Sequence, residues 1–143
     1  MTNPFVRAAA FAVLAMILLA VLSVIVFLFM IGMPKDANAL ATFQAEAAAR
    51  APMVDLVLGG LIMLGCGWLA GRPYAGSDAL RVAGLMAVFY IVIDVAIVLV
   101  FGDVNAIALN TTGLSYAVKT VAALIGGFAA GRTPALPEPV SSE

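Results

Sequence analysis

Residues 8–33 run for 26 positions without a charge, and only Ser23 and Gly32 interrupt their hydrophobic side chains. At about 1.5 Å per residue a helix of this length covers about 39 Å, more than the ~30 Å hydrocarbon thickness of a bilayer. The run is too long for a signal-peptide core and no small-residue cleavage site breaks it, so a retained, tilted or protruding membrane helix is expected. A chain of 143 residues that is 64% hydrophobic and 10% charged could not hide this apolar surface in a soluble core, so the bilayer is its solvent.

Three more spans follow. Pro34 stops the first, 35–38 form a polar turn, and 39–50 read as a short Ala-rich helix with Leu40, Phe43 and Ala47 on one side and a Glu46/Arg50 pair. This helix either extends the next span into water or lies on the membrane surface. Pro52 suits the first turn of the second span, 53–71, where the helix N-terminal dipole would favour Asp55. A turn over 72–78, with Ser77 or Asp78 as N-cap, leads into the third span, 79–101, which contains Asp94. Residues 102–105 break that helix, 106–109 rest at the interface, and 110–113 lead into the fourth span, 114–131. The expected fold is all-α: a four-transmembrane-helix bundle over 1–132, followed by a disordered Pro-rich tail, 133–143.

Spans two and four end on the same phrase. Gly67-Trp68-Leu69-Ala70-Gly71-Arg72 matches Gly127-Phe128-Ala129-Ala130-Gly131-Arg132 at an offset of 60. Arg7 and Arg81 open spans one and three alike, so the chain reads as two parallel-repeat helical hairpins related by an axis along the membrane normal. Gly67, Gly71, Gly127 and Gly131 form Gly-x3-Gly steps that allow close backbone approach. Spans two and four are therefore expected to meet, the alternative being that each packs on its own hairpin partner. With four spans, Arg7, Arg72, Arg81 and Arg132 share one side against Lys35 and Arg50 on the other, which places both termini in the cytoplasm.

The ionisable residues inside the spans are the candidate site. Asp94 lies about 10 Å below the outer end of span three and Lys119 about 8 Å below that of span four, so the two share a depth and are expected to pair. Asp55, Tyr90, Tyr116 and Thr120 reach the same layer, as does Ser23 from span one. The alternatives are a snorkelling Lys119 that leaves Asp94 to a hydroxyl, or a pair that only fixes helix register.

The absence of His removes bis-His haem, His-ligated zinc and His-dependent nucleophilic catalysis. The single Cys66 allows no internal disulfide and is expected to pack as a small hydrophobe. No cofactor, metal site or catalytic constellation is expected, and a net charge of −1 gives no case for nucleic acid. The expected partners are the lipid bilayer and either further copies of the chain or a larger membrane complex, in a bacterial inner membrane. Two functions fit: a non-enzymatic structural or accessory membrane subunit, or a small oligomeric transporter or channel working through the Asp94/Lys119 layer.

Overall fold

The computed structural model describes residues 3–101 and 109–133, with the side chains of Phe101 and 109–111 left aside. The described residues form four α-helices: α1 (Pro4–Ile31), α2 (Ala37–Gly71), α3 (Ser77–Phe101) and α4 (Leu109–Arg132). Each is long and apolar enough to cross a membrane, so this is an integral membrane protein built as a four-helix bundle. The expected break at 102–105, the interfacial stretch 106–109 except Leu109, which opens α4, and the tail 133–143 except Thr133 lie outside the described residues.

Local chemistry sets the helix ends. The Asn3 side chain accepts from the Phe5 N–H at 3.0 Å, with Pro4 in the first turn. At the other end of α1 the Gly32 N–H reaches Leu28 O at 3.0 Å, and Gly32 takes φ +95°, open to glycine without strain. Asp36, expected in a turn, instead caps α2 by accepting from Ala39 N–H at 2.7 Å.

Two boundaries differ from the sequence expectation. The stretch 39–50 follows the first of its two expected alternatives and extends the next span, so Pro52 stands inside α2 and not in its first turn: the helix runs unbroken for 35 residues, about 52 Å. Proline deletes one hydrogen bond and crowds the preceding turn, which a long helix held on both sides can absorb. Asp55 therefore sits about five turns inside α2, beyond the reach of its N-terminal dipole. The fourth helix begins at Leu109, so Gly113 lies within it and not ahead of it.

The core is made of small side chains. On α3 the buried residues Ala79, Val82, Ala83, Met86, Ala87 and Tyr90 follow the three- and four-residue spacing of one helix face. The buried residues of α2 are Gly59, Met63, Cys66, Gly67, Ala70 and Gly71, with Cys66 buried as a small apolar residue. The most extensive interface joins α2 to α4, while α1 packs in the groove between α2 and α3. Only Ala8, Ala12 and Ala15 of α1 are buried, so its second half faces outward with Val21, Val24, Ile25 and Phe29 exposed to the apolar solvent.

Backbone proximity fixes the α2–α4 register. A Cβ on Gly67 would collide with the Ala123 backbone, and one on Gly126 with Leu64 O and Trp68 N. Gly127 and Gly131 point elsewhere, toward Ala79, Ala83 and Gly76 at the start of α3, and Gly71 lies between Ala79 and Ala130. The small faces thus serve both interfaces: α2 on α4 through Gly67 and Gly126, and α3 on α4 through Gly127 and Gly131. The turn at Gly76, φ +54°, ties to the end of α4 through Gly76 N–H to Gly131 O at 3.3 Å. Both helix starts and ends that carry Arg7, Arg72, Arg81 and Arg132 gather at this terminal end of the bundle.

Candidate functional site

The polar layer lies toward the opposite, distal end, and its geometry follows from how α2 and α4 run. They lie side by side in the same direction, which brings Asp55 opposite Ser115 and Gly59 opposite Lys119. Side chains on a helix lean toward its N-terminus. The Lys119 stem accordingly crosses Gly59, where a Cβ would strike its Cε, and climbs one turn to the level of Asp55. There Nζ meets Asp55 Oδ1 at 2.7 Å.

The ion pair therefore forms with Asp55 and not with Asp94. Lys119 does not snorkel: its side chain is only 4% exposed, against 37% for Asp55. Nζ also donates to Tyr90 OH at 3.2 Å and sits 5.1 Å from the centre of that ring. The second Asp55 oxygen, Oδ2, accepts from Ser115 Oγ at 2.5 Å, so both carboxylate oxygens are engaged. Asp94 has a different donor: Tyr116 OH gives its proton to Asp94 Oδ2 at 2.6 Å. Among the described residues no buried side-chain nitrogen or oxygen lacks a partner, as the cost of desolvating such groups demands.

These groups line one cavity of about 570 Å³. Lys119 and Tyr90 are buried at it, and the lining runs past Val95 and Val98 to Leu99 and Thr112 near the distal ends of α3 and α4, with Ala48 about three turns inside α2. Leu19 from α1 closes one side. Of the residues expected in the layer, Asp55, Tyr90, Asp94, Tyr116 and Lys119 converge here, while Thr120 and Ser23 do not line the cavity. Among the described residues no three His, Cys, Asp or Glu side chains come together as a metal site would require.

Four contributors were not singled out as site residues from the sequence. Ser115 completes the Asp55 shell, Gly59 makes room for the lysine, and Pro52 with Ala48 shapes the wall. A signal for two of them was present: Ser115 and Gly59 stand 60 positions from Asp55 and Lys119, at the offset of the repeated phrase.

A separate polar contact holds the terminal end. Arg7 Nε donates to Ala70 O at 2.9 Å and its NH2 group to Leu69 O at 2.7 Å, satisfying carbonyls that the end of α2 leaves open. The guanidinium also lies over Phe11, as Arg72 lies over Trp68 and Arg132 over Phe128. The glutamate and arginine at 46 and 50 pair at 3.0 Å on the exposed distal turns of α2.

No protein-family model matches the chain, and neither a curated protein nor a solved structure matches it.

Proposed function

We propose that this is a small non-enzymatic membrane protein that takes up a small polar solute in the distal cavity, as a transporter or channel would. The observation that carries this reading is the cavity itself, where two carboxylates, one ammonium and two phenols from three helices converge among apolar walls. Charges inside a bilayer are costly, and their concentration around an open volume favours a solute path over simple glue. The volume lies within the ~300–1,000 Å³ range of small-molecule sites.

The facing of Asp55 with Ser115 and of Gly59 with Lys119, each 60 apart, supports descent from a duplicated hairpin whose halves meet across a pseudo-two-fold axis. The four arginines at the terminal end support a cytoplasmic placement of both termini, with the cavity opening toward the other side.

Reconstitution in sealed vesicles tests the reading. A set of small amines, alcohols and inorganic cations should include at least one whose flux rises above that of protein-free vesicles and falls when the cavity is filled by Val98→Trp. Flux indistinguishable from empty vesicles across the set would remove the transport reading.

The accessory-subunit reading has one observation in its favour. The second half of α1 buries no residue within the bundle and presents Val21, Val24 and Phe29 outward. A partner helix could cover that face. Extraction in mild detergent followed by native mass separates the two: a fixed hetero-complex supports the subunit, a lone chain or homo-oligomer supports the solute protein.

A further inference from the structure

We infer that the cavity takes a lipophilic monovalent ammonium, with Asp94 as its counter-ion; this rests on the solute-binding reading above and names the class of solute. The two carboxylates of the layer are not equivalent. Asp55 is neutralised by Lys119 at 2.7 Å and has its second oxygen occupied by Ser115. Its charge is already balanced, which leaves it the weaker anchor for a second cation. Asp94 has no cation partner among the described residues, and only its Oδ2 is taken, by Tyr116. Among the described residues nothing donates to Oδ1, an acceptor on a side chain that lines the cavity.

The charge balance points the same way. Asp55, Asp94 and Lys119 sum to one uncompensated negative charge beside an apolar volume, where screening by water is weak. An anionic ligand would meet that charge with Lys119 already committed. A cation would complete the balance.

Two further acceptor surfaces complement an ammonium head. The Tyr90 and Tyr116 rings border the cavity, and aromatic faces attract cations. Residue 52 is proline inside α2, so the Ala48 carbonyl has no N–H donor four residues on, and both residues belong to the wall. The remaining lining, Leu19, Ala51, Val95, Val98, Leu99 and Thr112, is hydrocarbon apart from the one Thr112 hydroxyl. An amine with an apolar body therefore fits, whereas a hydrated inorganic cation would find no second ring of oxygen ligands.

The test uses three probes of one shape: benzylammonium, benzyl alcohol and benzoate, titrated calorimetrically at neutral pH into the full chain in nanodiscs, with empty nanodiscs subtracted. Benzylammonium is expected to bind at least tenfold more tightly than benzyl alcohol, and benzoate not at all. Asp94→Asn should reduce benzylammonium to the level of the alcohol, and Val121→Ala, on the exposed face of α4, should leave all three unchanged. Tyr116→Phe keeps the carboxylate and should retain the preference for the cation.

The wild-type series decides the charge preference even where Asp94→Asn does not fold. Equal binding of the alcohol, or tighter binding of benzoate, overturns the cation assignment and leaves the solute-binding reading standing. Retention of the preference in a folded Asp94→Asn variant overturns Asp94 as the anchor. No probe binding above empty nanodiscs overturns both the assignment and the reading beneath it.

Discussion

Lys119 reaches Asp55 at 2.7 Å by lying across Gly59, the residue that stands 60 positions before it in the chain. The contact needs three conditions at once: parallel α2 and α4, a register set about two turns deeper by Gly67 and Gly126, and no side chain at position 59. Any one of them removed leaves a buried ammonium without its counter-ion.

Gly59→Leu should therefore be far more damaging than Gly65→Leu. A Cβ at Gly59 meets the Lys119 stem, whereas nothing lies within 4 Å of one at Gly65. Overpacking of this kind costs about 1–3 kcal/mol. Thermal unfolding in detergent should show a lowered midpoint for Gly59→Leu and little change for Gly65→Leu, and equal midpoints would mean that the lysine does not pass over Gly59.

The closest backbone approach predicts intolerance to a single methyl group. Gly67→Ala and Gly126→Ala each force a Cβ into the backbone of the facing helix, which cannot swing aside as a side chain can. Each should destabilise by on the order of 2 kcal/mol, despite alanine's advantage of about 1 kcal/mol in helix propensity. Gly65→Ala is the control and should be neutral or mildly stabilising. Detergent-resistant folding on a temperature series reads the difference.

A double-mutant cycle should find coupling between Lys119 and Asp55 and none of comparable size between Lys119 and Asp94. Breaking a fully buried pair costs about 3–5 kcal/mol; here Asp55 is 37% exposed, so a single loss nearer 1–3 kcal/mol is expected. Lys119→Met with Asp55→Asn should recover part of that loss. Additivity in the first cycle, or strong coupling in the second, would reassign the counter-ion.

Arg7→Gln should weaken the terminal end of the bundle by about 1 kcal/mol or more, since two charge-assisted bonds to the α2 carbonyls and the contact with Phe11 are lost together. Arg81→Gln should have almost no effect, because its pair with Asp78 at 3.1 Å is exposed on both sides. Comparable losses at the two positions would make the Arg7 contacts incidental.

Single cysteines at Asn38 and Thr133, in a Cys66→Ala background, should react with an impermeant thiol reagent from opposite sides of sealed cells, Asn38 from outside. Labelling of both from one side would contradict the three spans, α2, α3 and α4, that separate the two positions.

Span number and helical class were legible in the chain because a bilayer demands about 20 apolar residues per crossing, a condition that neighbouring residues satisfy or fail on their own. The small residues of α2 and α4 could be read in the chain, but not which of them face each other: Gly126, outside the Gly127–Gly131 step, meets α2, while Gly127 and Gly131 turn to α3. Local sequence was weaker at Pro52 and Gly113, two residues that usually end helices but are carried inside α2 and α4, where packing overrides propensity. What only the tertiary structure decided is which acid Lys119 owns. Depth along the membrane normal placed Asp55 and Asp94 in one layer and could not separate them. The choice depends on rotation of α2 and α4 about their axes, on the lean of a lysine stem toward its helix N-terminus, and on a glycine gap on another helix. Those are relations between elements far apart in the chain, and no single span encodes them.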